Sequence, residues 1–62
     1  MSIGQRIRTL REQKGLSQGD IHRQTGMLRS YISRVEHGHT TPSLDALRFA
    51  WALGVPHIAA LL

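Results

Sequence analysis

The amino-acid sequence predicts an all-α fold, five short helices in a compact bundle around one core. Three observations lead there. Apolar residues recur at helical spacing, first as Ile3, Ile7 and Leu10. Gly or Pro interrupts the chain at Gly15, Gly26, Gly38, Pro42, Gly54 and Pro56, which divides it into five short segments with no linker, repeat or low-complexity stretch. The chain has 62 residues and no cysteine, so a single domain over 1–62 must hold itself together by helix packing alone or with the help of oligomerisation.

The first segment carries Arg6, Arg8, Arg11 and Lys14 around its apolar stripe, and Gly15 follows as a C-terminal stop. Lys14 stands where a cation complements the helix dipole. Ser17 begins the second helix as an N-cap with Asp20 at capping-box spacing, and the segment ends at Thr25-Gly26 after about two turns. A third helix runs from about Leu28 to His37, buries Ile32 and Val35, and stops at Gly38. The connection from His37 to Pro42 is too rich in Gly, Thr and Pro for a helix. Ser43 then caps a fourth helix in which Leu44, Leu47, Ala50 and Leu53 form the apolar positions. Pro56 suits the first turn of a last short helix with Ile58, Leu61 and Leu62.

Charge points toward phosphate. Eight Lys and Arg against four Asp and Glu give a net charge of +4, and the sequence pI is near 11.3. The same surplus would also simply keep a small domain soluble, and on charge alone the two readings stand level. Placement decides between them. The outward face of the third helix holds Arg29, Ser30, Ser33 and Arg34, two cations and two hydroxyls with no carboxylate. Two short helices joined by a tight turn at Gly26 cross steeply enough for the second to protrude, and a protruding helix can enter a groove.

The order and spacing of several elements together resemble the helix-turn-helix family of the phage repressor, Cro and Xre-like type, the lambda repressor-like DNA-binding domains. These elements are Arg11, Leu16-Ser17-Gln18, Thr25-Gly26, the run Arg29-Ser30-Tyr31-Ile32-Ser33-Arg34-Val35-Glu36 with Gly38, and Pro42-Ser43-Leu44. The resemblance covers almost the whole chain. It implies a transcriptional regulator, by default a repressor, that binds double-stranded DNA as a homodimer with its third helix in the major groove.

Base reading then falls to Arg29, Ser30, Ser33 and Arg34, because an arginine fork matches the paired acceptors of guanine and a hydroxyl serves several bases. Gln18 in the first turn of the second helix, Tyr31, and the loop residues His39, Thr40 and Thr41 are candidates for phosphate contact. Tyr31 could equally pack beside Ile32. Arg11 and Glu36, which relatives of this type pair, are expected to form a structural ion pair. Trp51, Ile58, Leu61 and Leu62 are candidates for a dimer surface, or for a protein partner through the C-terminal helices.

Two positions depart from the family pattern. His22 stands where a small residue usually lets the helices approach, so either the crossing is looser or His22 turns outward. Leu28 replaces the Ser or Thr that usually caps the third helix. Between Leu44 and Leu62 the interior reads one residue out of step, which leaves the burial of Phe49 and Trp51 open.

Other function classes find little support. No apolar run approaches the roughly 18 residues of a membrane span, and Met1-Ser2-Ile3-Gly4 lacks the layout of a secretion signal. The expectation is a soluble, cytoplasmic protein with no membrane partner. The four histidines have no Cys or repeated carboxylate to complete a metal set, so no metal or cofactor is expected. No nucleophile triad or phosphate loop points to an enzyme. The competing class is an antitoxin-like or anti-repressor module whose main contact is a protein, with its anchors in Trp51, Phe49 and Leu62.

Overall fold

Serine caps start the first two helices. The computed structural model describes residues 2–42, 45–55 and Leu61. In α1 (Ile3–Gln13), Ser2 Oγ accepts the Gln5 N–H at 3.2 Å while Gln5 Oε1 accepts the Ser2 N–H at 3.1 Å. In α2 (Gln18–Thr25), Ser17 and Asp20 form the same reciprocal box, at 3.0 and 2.7 Å. Each box satisfies backbone donors that a helix start otherwise leaves to water. Helix α2 ends on Gly26 at φ +77°, in the left-handed region that favours glycine.

Helix α3 (Arg29–Glu36) starts differently, because Leu28 stands at its N-cap and no side chain caps it. Helix α4 spans Ala46–Ala52. The described residues therefore contain four helices where the sequence predicts five. The expected fifth, from Pro56 to Leu62, lies outside the described residues except for Leu61.

The core is one cluster that draws Ile7 from α1, Ile21 from α2, Met27 from the turn, and Ile32 and Val35 from α3. Phe49, Ala50 and Leu53 close it from the α4 side. Helix α3 packs against both α1 and α2, and α2 packs against α4. The α4 register corrects the sequence expectation. Ala46, Phe49, Ala50 and Leu53 are buried, whereas Leu47, expected inside, is 65% exposed and Trp51 is 68% exposed. Phe49 fills the interior beside Ala46 and Ala50.

Leu61 requires a second correction. It is fully buried in the core cluster, so it cannot contribute to a dimer surface. Its companions Ile58 and Leu62 lie outside the described residues. Among the described residues no helix is long and apolar enough to cross a membrane.

Gly4 controls how α1 meets α3. It is buried, and a Cβ built on it would fall inside the van der Waals envelope of the Val35 carbonyl oxygen. Only a residue without a side chain lets α1 press its first turn against the end of α3.

Candidate nucleic-acid interface

The inner side of α3 is fixed by charge as well as by packing. Arg11 Nε donates to Glu36 Oε2 at 2.7 Å, and Arg11 Nη2 donates to Oε1 at 3.0 Å. The third donor, Nη1, reaches the Leu16 carbonyl at 2.8 Å, which ties the α1–α2 connection to the same guanidinium. The Glu36 side chain is 1% exposed and that of Arg11 13%. The hydrogen bond to Glu36 raises the Arg11 pKa from its ordinary value, against a smaller opposing effect of burial. A forked, fully satisfied pair of this kind holds both position and rotation of the helix it ends.

The outer side of α3 carries the predicted base-reading group. Arg29, Ser30 and Arg34 are exposed and Ser33 is half-buried. No acidic residue of α3 shares this face, since the only carboxylate of the helix, Glu36, is turned inward. The Arg29 guanidinium lies back over the start of α2, with its Cζ 4.0 Å from where a Gly19 Cβ would sit; Arg23 Nη1 approaches the same point at 3.6 Å. Arg23, which pairs with Asp20, thus adds a cation beside the face. Sequence reasoning did not single it out, although its position one turn before Gly26 was the available signal.

Three predicted phosphate residues have neighbours of their own. Gln18 Nε2 donates to Glu36 Oε1 at 3.2 Å, which joins Gln18 to the buried ion pair. The Tyr31 ring packs against the core. Burial first, and then a hydrogen bond to the Asp45 carboxylate, pushes its phenol above the ordinary tyrosine value. Tyr31, half-buried, thus has the packing neighbours that one of its two readings anticipates. His39 is exposed, and its ring stacks on that of His37 with centroids 6.3 Å apart. His37 Nδ1 is 2.7 Å from the Ser33 carbonyl, which places its ring at the end of the α3 outer face. Thr40 is half-buried and Thr41 exposed in the same loop.

The turn between α2 and α3 explains the two departures noted in the sequence. Thr25 Oγ donates to the Ile21 carbonyl at 2.7 Å and accepts the Met27 N–H at 3.1 Å. His22 Nδ1 lies 2.7 Å from the Met27 carbonyl. His22 is half-buried, so it neither loosens the helix crossing from inside nor turns fully outward. It uses its ring to fasten the turn. Met27 is buried with both backbone polar groups bonded, and Leu28, next in an extended conformation, is 66% exposed. Among the described residues no three of His, Cys, Asp and Glu stand close enough to hold a metal ion.

The sequence profile of the helix-turn-helix domain family matches residues 2–61. The chain belongs to that family. It is 35% identical over 57 residues to the HTH-type transcriptional regulator y4dJ of Sinorhizobium fredii, a match that covers 90% of this chain and 74% of that protein. It is 36% identical over 56 residues to the immunity repressor of Bacillus phage phi105, covering 89% of this chain but only 39% of the repressor. Among solved structures, the restriction-modification controller protein C.AhdI of Aeromonas hydrophila superposes with a TM-score of 0.88 at 41% identity. That match covers 97% of this chain and 91% of the controller.

Proposed function

We propose that this helix-turn-helix chain is a sequence-specific duplex-DNA binder that regulates transcription, with α3 as the helix that enters the major groove. The observation that carries this reading is the acid-free outer face of α3, with Arg29, Ser30, Ser33 and Arg34 presented on a helix whose inner side is locked by Arg11 and Glu36. Arginine forks there meet guanine O6 and N7, each good pair contributing about 1–3 kcal/mol of discrimination. Phosphate contact comes from Gln18 in the first turn of α2, and from His39, Thr40 and Thr41 in the loop after α3. Occupancy of a promoter excludes polymerase, so repression is the default direction, and the protein acts by binding without catalysis.

Reading two half-sites would take two copies. The body measures 24 × 23 × 21 Å, whereas successive major-groove faces on one side of a duplex lie about 34 Å apart. One copy cannot span that distance. Leu47 and Trp51, four residues apart on α4 and both largely exposed, supply an apolar patch for a two-fold homodimer.

Selection from a random duplex library, followed by affinity measurements against salt, tests the reading. The expected result is an enriched palindrome with half-sites about 10 bp apart, weakened by Arg29→Ala and by Arg34→Ala, with a negative slope of affinity against salt. No enrichment, with neither arginine mattering at low salt, would leave the α4 patch as a site for a different protein. Sedimentation of Trp51→Lys tests the dimer, which should fall to monomer while its helical spectrum is unchanged.

A further inference from the structure

We infer that Leu28 reads the C5-methyl group of a pyrimidine, thymine in unmodified DNA, at the position where the N-terminal end of α3 meets the base edges. The inference rests on α3 being the groove-entering helix and adds a specificity-determining residue to it.

Leu28 is a poor choice for the stability of the free domain on two counts. It leaves α3 without a side-chain cap, where a hydroxyl or carboxylate residue would satisfy a backbone donor. It also holds a large aliphatic side chain 66% exposed. Its outward position is enforced. Met27, immediately before it, is buried, its N–H held by Thr25 Oγ and its carbonyl by the His22 ring. The backbone at Leu28 is extended, at φ −62° and ψ 140°, close to polyproline-II geometry, in which successive side chains diverge around the chain axis. With Met27 held inside, Leu28 is driven out. Its carbonyl accepts the Ile32 N–H at 3.0 Å, so it is part of the α3 frame rather than of a loose loop.

The surroundings identify the occupant. Leu28 directly precedes Arg29 and Ser30, the first exposed polar residues of α3, so the aliphatic group adjoins a cationic and hydroxyl surface. A protein partner covering this point would have to desolvate Arg29. Duplex DNA offers both complements at once: acceptors for the arginine and, on a neighbouring base, the one apolar group exposed in the major groove, the C5-methyl. The N-terminal residues of a recognition helix are the ones that reach base edges.

The test uses the duplex enriched by selection on the wild-type chain. Each thymine is replaced in turn by deoxyuridine, which removes only the methyl group. The wild type should lose about fourfold in affinity at one thymine per half-site, the factor expected for one buried methyl-sized group. Leu28→Ala should bind the thymine duplex more weakly and no longer distinguish the two bases, with its thermal unfolding close to wild type because the side chain is exposed. Cytosine against 5-methylcytosine at the same position separates the methyl group from thymine's hydrogen-bonding edge, and the wild type should prefer the methylated base. Equal affinity for thymine and deoxyuridine at every position, or discrimination retained in Leu28→Ala, overturns the assignment. If Arg29→Ala still weakens binding in that case, the groove-entering role of α3 survives without it. Failure to enrich any duplex takes both readings down.

Discussion

The Arg11 guanidinium and the Glu36 carboxylate, 25 positions apart in sequence, meet in a two-point grip that fastens the last residue of α3 to α1. Because Glu36 is almost entirely buried, removing Arg11 leaves a desolvated charge that keeps, among the described residues, the hydrogen bond from Gln18. Arg11→Ala should therefore cost about 3–5 kcal/mol. The double substitution Arg11→Met with Glu36→Leu should recover much of that loss, since no charge then remains to be desolvated. Denaturant unfolding of the wild type, the single and the double variant measures this. A double variant as unstable as the single one would mean that packing, rather than charge, dominates the site.

Gly4 makes a separate prediction at the other end of α1. Ala is the better helix former in isolation, by about 1 kcal/mol, yet its Cβ would collide with the Val35 carbonyl. Gly4→Ala should destabilise by about 1–3 kcal/mol, the usual range for overpacking. An unchanged or higher melting temperature would show that α1 can shift away from α3 without loss.

At Leu28 stability and recognition should move in opposite directions. Leu28→Ser supplies the missing N-cap oxygen and should stabilise the free domain by about 0.5–2 kcal/mol. The same substitution should weaken binding to the selected duplex. Calorimetry and a binding titration on one preparation decide the matter; a variant that gains neither stability nor loses affinity contradicts both halves.

Asp20 contributes to the acid limb of the stability curve. Its pKa is lowered, chiefly by the hydrogen bond it accepts from the Ser17 backbone N–H and then by the Ser17 side chain. The fold therefore favours the carboxylate more than the unfolded chain does. That contribution is complete above the unfolded value of about 3.9 and is lost as pH falls through the lower folded value. Asp20→Asn should flatten the decline in melting temperature below about pH 4, while Ser17→Ala should lower stability across the whole range. Parallel acid declines in the wild type and Asp20→Asn would assign the acid sensitivity elsewhere.

Much of the frame was legible in the sequence because its signals are local. The Ser17 and Asp20 box, the Gly26 stop and the Ile32–Val35 inward pair each depend on residues within one or two turns. The register of α4 was not legible, for a physical reason. Of the expected apolar positions in this helix, Ala50 and Leu53 are buried and Leu47 is not, because Ala46, Phe49, Ala50 and Leu53 form a second apolar stripe at helical spacing that competes with the one containing Leu47 and Trp51. Periodicity shows that each is a face and cannot say which one the rest of the chain will cover. The intramolecular partners of Gln18 and Tyr31 were not legible in a related way: both have groups suited to phosphate, and Glu36 and Asp45, distant in sequence, also engage them. The outer face of α3 was readable because it needed no partner within the chain.

The fastening of the α2–α3 turn has a consequence for how such a domain can diversify. Thr25, His22 and Met27 fix where α3 begins, and Arg11 fixes where it ends, all from behind. Leu28, Arg29, Ser30 and Arg34 take no part in that scaffolding and lie open to solvent. Arg29, Ser30 and Arg34 can be exchanged as a cassette, so new target preferences can arise on an unaltered chassis, with Leu28, as the α3 N-cap, the one position of the four where a change also alters folding stability.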